Sequence, residues 1–350
     1  MRAIKDSSVT QSEILAAPSP AIDWRPLQDI LQRAERVVIS SHVRPDGDAL
    51  GSELGLAGIL ESLGKSVRIV NPSATPDQLA FLDPEQRIMK IRDQISAEQA
   101  READLHLIVD TSAWAQLNEL RSVLEHTPAR KVVIDHHISS DDLGADCFKD
   151  TTAAATGILI TELAEFLEVP LSKESAQALF CAVATDTGWF RFPNADARTY
   201  RTAARLIAYG AEPSLLYRNL YERSTLARLK LQSLVLARVQ LECAGRVAFT
   251  YVERKDFQQT GAQPTDTEDL VNQGLAVNGV EGAFILVEQI DGRIKGSLRS
   301  RTSLNVAAIA ERFGGGGHRQ AAGVMLPGPM NTARDTLLKE FAKVLTPLDP

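Results

Sequence analysis

Arg36-Val37-Val38-Ile39-Ser40-Ser41-His42-Val43-Arg44-Pro45-Asp46-Gly47-Asp48-Ala49-Leu50 lays an apolar run, a turn and a helix start end to end. Arg36 to Ser40 has the short, continuous apolar pattern of a buried strand. Arg44-Pro45-Asp46-Gly47 is a turn, because proline and glycine punctuate it. Leu50, Leu54, Ala57 and Leu60 then recur at helical spacing from Ala49 to Leu63, and Gly64 closes that helix. Three more strand-like runs follow, at Lys65 to Val70, Asp104 to Val109 and Lys131 to Ile134. Strands separated by helical stretches predict parallel βαβ units, and hence an α/β fold built on a parallel sheet.

Upstream, Asp23 is placed to cap a short amphipathic helix from Trp24 to about Ala34. Residues 1–21 carry no apolar core of signal-peptide length and read as a flexible extension. Downstream of Asp150 the pattern turns helical: Thr152 to Leu167, Ser172 to Thr185, Asp196 to Tyr209 and Pro213 to Leu241, with breaks near Gly210 and Ser224. Strands return at Val247 to Val252, Gly282 to Gln289 and Arg293 to Arg301, the last two joined by an Asp291-Gly292 turn typical of a hairpin. Leu304 to Phe313 is helical, Gly314 to Gly317 and His318 follow, and Thr332 to Leu345 is the last helix. The expected organisation is therefore a catalytic domain over 22–195, a helical connector over 196–243 and a smaller α/β domain over 244–350, with the active site in the cleft between the two domains.

The 350 residues, 44% hydrophobic and 24% charged, suit a soluble globular chain of two domains. Lys and Arg number 38 against 45 Asp and Glu, a net charge of −7 that disfavours coating long duplex nucleic acid. Three widely spaced cysteines, Cys147, Cys181 and Cys243, suggest neither a disulfide framework nor a cysteine zinc site. No run approaches membrane-helix length, so no membrane is expected as a partner and a cytoplasmic location fits.

Chemistry concentrates at four strand or helix ends: His42 to Asp48, Asp110 after Leu107-Ile108-Val109, Asp135-His136-His137 after Val132-Val133-Ile134, and Asp186 in Thr185-Asp186-Thr187-Gly188. Each alone has an ordinary explanation, since a lone Asp caps helices and Asp-Gly forms turns. Together they point to one crevice, because loops at the carboxyl ends of parallel strands converge. Asp46, Asp48, Asp110 and Asp186 would then crowd four negative charges, which cannot all stay ionised without cations. Two divalent ions balance them, and oxygen ligands with a few imidazoles suit Mn2+, Mg2+ or Co2+. A shared carboxylate, Asp110 above all, would hold two ions about 4 Å apart and make a water acidic enough to attack a phosphate ester or anhydride.

At these residues the sequence resembles the DHH phosphoesterase superfamily, named for the motif that stands here as Asp135-His136-His137. His42 to Asp48 with Ala49-Leu50-Gly51-Ser52 matches too, as does Thr185-Asp186-Thr187-Gly188. Gly314 to Gly317, His318 and Ala321-Ala322-Gly323 resemble a DHHA1 domain. The combination is most similar to the NrnA-like branch, which degrades very short oligoribonucleotides and dephosphorylates 3′-phosphoadenosine 5′-phosphate; some relatives cleave linear dinucleotides. The resemblance implies His42 and Asp46 on one metal, Asp48, His136 and Asp186 on the other, and Asp110 as the bridge. It makes His137 a donor or general acid at the scissile phosphate and Asp135 the group that orients the histidines. Gly188-Trp189-Phe190-Arg191-Phe192 is aromatic and basic, and either lines the substrate cleft or packs against the connector.

In the second domain the glycine run gives close backbone approach, and its N–H groups suit an anion, with His318 at the edge. Because the run ends a helix and precedes Ala-Ala-Gly-Val, an ordered turn is expected. Ser297, Arg299 and Arg301 alternate, which puts all three on one strand face. That face either holds a phosphate through arginine or is merely solvated, and the DHHA1 resemblance favours phosphate. Gly315, Gly316, Gly317, His318, Ser297, Arg299 and Arg301 are thus the expected substrate-binding set. The expected function is a two-metal phosphoesterase acting on short oligoribonucleotides or phosphorylated nucleotides, with Mn2+ the first choice of metal. The oligomeric state is open, a homodimer included. Alternatives are a pyrophosphatase or exopolyphosphatase, which the glycine-rich second domain disfavours, and a non-catalytic nucleotide-binding module, which four intact motifs disfavour. A RecJ-type exonuclease fits less well, for want of a further domain to track a strand.

Overall fold

The computed structural model describes residues 22–301 and 304–345; the extension expected over residues 1–21 lies outside the described residues. The chain divides into two compact units between Arg223 and Ser224.

The first unit is built on six parallel strands: β1 (Arg36–Ser40), β2 (Ser66–Asn71), β3 (Ile88–Lys90), β4 (Leu105–Val109), β5 (Arg130–Asp135) and β6 (Asp146–Lys149). Their spatial order is β3-β2-β1-β4-β5-β6. The order reverses between β1 and β4, and a crevice opens there at the carboxyl ends of the strands. Val37 and Ile39 of β1 join one core and Val38 the opposite one, which is why the strand reads as an unbroken apolar run. Helices α1 (Arg25–Arg33), α2 (Gly47–Ser62), α3 (Thr156–Phe166) and α4 (Lys173–Asp186) contribute to the first core. So do α5 (Ala197–Ala208) and α6 (Pro213–Tyr221). The shorter helices around residues 97–126 contribute to the other core.

The second unit carries β7 (Gln240–Glu242), β8 (Val247–Val252), β9 (Gly282–Glu288), β10 (Ile294–Ser300), β11 (Gly316–His318) and β12 (Ala321–Leu326). Their order is β11-β12-β10-β9-β8-β7, antiparallel except for β8 beside β9. On one side, α8 (Val306–Glu311) and α9 (Met330–Val344) supply Val306, Ile309, Leu337 and Phe341 to a core; α7 (Leu226–Ala237) supplies Leu231 and Val235 to another. The stretch read as a connector thus splits its packing, since Ala203, Leu206 and Leu216 join the first unit's core. Among the described residues, no helix is long and apolar enough to cross a membrane.

Three local expectations differ. Asp23 does not cap α1: its carboxylate accepts from the Arg25 N–H at 3.1 Å and pairs with the Arg25 guanidinium, and Trp24 is the cap residue. Helix α2 is buried on nearly every face rather than along one stripe. The glycine run turns at Gly314, φ +73°, and from Gly316 becomes the edge strand β11 rather than a cupped turn. Pairing with β12 explains this, because a Cβ on Gly315 or Gly317 would strike the Gly323 or Ala321 carbonyl.

Candidate metal centre

His42 leaves the end of β1 with Nδ1 3.0 Å from the Val43 carbonyl, so Nδ1 is the donor. Its Nε2 faces Asp110 Oδ2 at 3.3 Å and Asp46 Oδ1 at 3.9 Å. His136, just past β5, repeats the arrangement: Nδ1 lies 3.1 Å from the Ala153 carbonyl. Its Nε2 faces Asp186 at 3.4 Å, Asp110 at 3.5 Å and Asp48 at 3.6 Å. A proton or a metal cation must lie between each Nε2 and these carboxyl oxygens, and a divalent cation serves all of them at once. Donor atoms of His42, Asp46 and Asp110 lie within 4.8 Å of one another, and so do those of Asp48, His136 and Asp186. The donor set of oxygens and imidazoles fits two hard or borderline divalent ions.

The carboxylates are held before any ligand arrives. Asp46 caps α2, its Oδ1 accepting from the Asp48 and Ala49 N–H groups at 3.0 and 3.1 Å. Asp48 is buried and accepts from the Thr156 and Gly157 N–H groups at 2.7 and 2.9 Å, at the amino end of α3, and from the Ser52 hydroxyl at 3.1 Å. Asp110 directly follows β4 with φ +61°, a left-handed conformation that costs a non-glycine residue energy and turns its side chain out of the strand register. The Thr156 hydroxyl donates to it at 2.9 Å. Asp186 is the last residue of α4 and about a third exposed. Burial first, and the neighbouring carboxylates second, push Asp48 and Asp110 well above the ordinary carboxylate range. Burial also raises Asp186.

Helix α2 must lie unusually close to α4 for Asp48 and Asp186 to meet. Gly47, Gly51, Gly55 and Gly58 form the contact face, where a Cβ would collide with Thr185, Ala178, Leu179 and Ser175 respectively. Beneath His42, the Asn71 amide oxygen accepts from the Ser41 N–H at 3.0 Å while its NH2 donates to the fully buried Glu53 at 2.9 Å. Burial raises Glu53 to about 7.

Asp135 sits behind the histidines and is fully buried. It accepts from the His137 N–H at 3.0 Å, His137 Nδ1 at 2.9 Å and the Ser112 hydroxyl at 2.7 Å, with Lys149 Nζ 3.1 Å away. Burial opposes its ionisation, yet the hydrogen bonds from His137 and Ser112 hold it below the ordinary range. The same bond from His137 raises that imidazole above its usual value. His137 is half-exposed, its Nε2 turned away from Asp135. Thr156, Ser112 and Lys149 went unread in the sequence because no motif marks a residue that only orients others.

Gly188-Trp189-Phe190-Arg191-Phe192 separates into two roles. Gly188, Trp189 and Phe190 have φ of +56°, +59° and +60°, one turn of left-handed backbone directly after Asp186. Such a turn costs about 1–2 kcal/mol for each non-glycine residue. Aromatic packing and hydrogen bonds hold it. Trp189 meets Phe180, Tyr217 and Tyr221, Phe190 stacks on Tyr200, and the Trp189 N–H donates to the Ala184 carbonyl at 2.6 Å. Trp189 and Phe190 therefore pack inward, while Arg191 and Phe192 are exposed.

In the second unit, Ser297 and Arg299 share the partly exposed face of β10, opposite Gly323 and Ala321 of β12. Arg301 lies just past the strand, its guanidinium bonded to the Leu275 carbonyl. Gly315, Gly316, Gly317 and His318 are exposed or partly so on the far edge of the same sheet, separated from β10 by β12.

A family model described as the DHH family, N-terminal domain, matches residues 36–183, and one for the DHHA1 domain matches residues 244–346. The bifunctional oligoribonuclease and PAP phosphatase NrnA of Thermus thermophilus is 30% identical over 335 residues, covering 94% of this chain and 97% of that protein. Its namesake from Bacillus subtilis is 28% identical over 297 residues, 83% of this chain and 90% of that protein. An exopolyphosphatase-related protein from Bacteroides fragilis has a solved structure that superposes with a TM-score of 0.82 at 28% identity, covering 93% of this chain and 99% of that one.

Proposed function

The chain belongs to the DHH phosphoesterases that carry a DHHA1 domain, and from that premise we propose that it hydrolyses very short oligoribonucleotides and the 3′-phosphate of 3′-phosphoadenosine 5′-phosphate. The observation that carries the reading is the pair of donor groups, His42-Asp46 and Asp48-His136-Asp186, with Asp110 within reach of both. His42, Asp46 and Asp110 would hold one ion; Asp48, His136, Asp186 and Asp110 the other; Mn2+ is the proposed metal. Ions held by these residues would supply the positive charge that lowers the pKa of a water and offsets the charge building on a phosphate.

The chain's own groups do the rest. Asp135 fixes the His137 tautomer, so that His137 Nε2 can hand a proton to the departing oxygen. Asp110 and Asp48 arrive already oriented by Thr156, Gly157 and Ser52, so little reorganisation remains. The second unit is proposed as the grip on the rest of the substrate, through Ser297, Arg299, Arg301 and the Gly315–His318 edge. The names of the NrnA relatives and the net charge of −7 support short substrates over long duplexes.

A substrate panel tests the reading. With Mn2+, a di- or triribonucleotide and 3′-phosphoadenosine 5′-phosphate should be hydrolysed far faster than pyrophosphate or polyphosphate. The reverse ranking would favour an exopolyphosphatase-type activity, the reading suggested by the name of the Bacteroides fragilis protein.

Arg299→Ala separates grip from chemistry. If Arg299 meets a phosphate remote from the one cleaved, the variant loses a charge-assisted contact worth about 1.5–3 kcal/mol, or about 10- to 150-fold in kcat/KM on a dinucleotide. A small chromogenic phosphodiester without the remote phosphate should be cleaved at close to the wild-type rate. Equal losses on both substrates, with normal folding and metal content, would place Arg299 at the reacting phosphate instead.

A further inference from the structure

Phe192 and Arg191 are the two exposed side chains of the aromatic, basic turn that follows Asp186 in the chain. The Phe192 ring lies against Gly188, where a Cβ would run into it, and Gly188 is two residues beyond Asp186. Phe192 is nevertheless 49% exposed as a residue, so it is seated on one side and faces solvent on another. Arg191 is also exposed, and its Nε donates to the Gly188 carbonyl at 2.7 Å, which anchors the guanidinium without using its outer nitrogens. The left-handed turn at Gly188-Trp189-Phe190 sends two aromatic rings inward and leaves this ring and this cation outward. Strained backbone persists where the surroundings over-determine it, and it clusters at sites that bind or react.

We propose that Phe192 and Arg191 form a nucleotide-reading pair next to Asp186, the Phe192 ring stacking on the base and the Arg191 guanidinium taking a phosphate of the same nucleotide. The chemistry is complementary. Every nucleobase has a flat π-face that an exposed aromatic ring can stack on, and a planar guanidinium matches a phosphate. The ring is anchored on backbone and loses little freedom on binding. A base-reading group beside one ligand of the metal centre gives the enzyme a way to prefer nucleotides over bare phosphate chains of equal charge. The inference rests on the nucleotide-hydrolase reading above.

The experiment compares 3′-phosphoadenosine 5′-phosphate with ribose 3,5-bisphosphate, which has equivalent phosphates and no base. Wild-type enzyme with Mn2+ comes first: if it hydrolyses no nucleotide, the nucleotide-hydrolase reading fails, and this pair with it. If it does, Phe192→Ala should raise KM for the nucleotide by roughly 5- to 150-fold, the worth of one stacked base, with kcat near wild type. The base-free substrate should be unaffected, and Phe192→Tyr should restore the nucleotide KM. Arg191→Met should weaken both substrates. Wild-type kinetics for Phe192→Ala on the nucleotide would overturn the pair, and so would equal losses on both substrates in a variant with normal metal content and melting temperature.

Discussion

Asp110→Asn is expected to lower turnover at least about a thousandfold, equivalent to about 4 kcal/mol of lost transition-state stabilisation, while the protein stays folded. Asp110 lies within 3.3 Å of His42 Nε2 and 3.5 Å of His136 Nε2, so it is the carboxylate best placed to serve both metal positions. The amide keeps the shape and the hydrogen bond from Thr156 but removes the charge that an ion needs. The same change should hold or raise the melting temperature of metal-free protein. Burial and the neighbouring Asp46 push the native Asp110 upward, so the native state binds a proton that the unfolded chain has already released. That penalty is absent below the ordinary carboxylate pKa and grows as pH rises through the raised value. Metal-free wild-type protein should therefore lose stability as pH rises, and the asparagine variant should lose less. Thermal melts at several pH values check this. A variant with near-normal turnover would mean that the bridge is another residue.

What the sequence made legible follows from which physics is local. The strands at 36–40, 105–109 and 130–135 bury both faces over most of their length, so burial shows as short apolar runs, interrupted in the second by His106, that lead into His42, Asp110 and Asp135-His136-His137. Strands β3 and β6 were missed, since Ile88–Lys90 and Asp146–Lys149 are too short and mixed to show any period. Strands β11 and β12 were missed because Gly and Ala pack by what they lack, and Gly316-Gly317 reads as a turn until β12 is beside it. The glycine face of α2 was hidden for the same reason: Gly47, Gly51 and Gly55 have meaning only opposite Thr185, Ala178 and Leu179, over 120 positions later. Of the groups that hold the acids, Thr156 is 108 positions from Asp48 and 46 from Asp110, while Ser112 stands 23 positions before Asp135 and Lys149 follows it in the next strand. Motif residues could be read because their chemistry is uncommon at strand ends. Their supports could not, because serine, threonine and lysine are common everywhere.

Metal dependence is the claim on which the rest stands. Four acids, two of them buried and pushed upward, face the Nε2 atoms of two imidazoles, and among the described residues no Lys or Arg is paired with any of the four. The direct measurement is hydrolysis of a diribonucleotide by protein stripped with chelator and shown empty by elemental analysis, then titrated with Mn2+. The account predicts no detectable turnover in the stripped protein, recovery on adding Mn2+, and saturation near two ions per chain. Undiminished hydrolysis by the empty protein would contradict it.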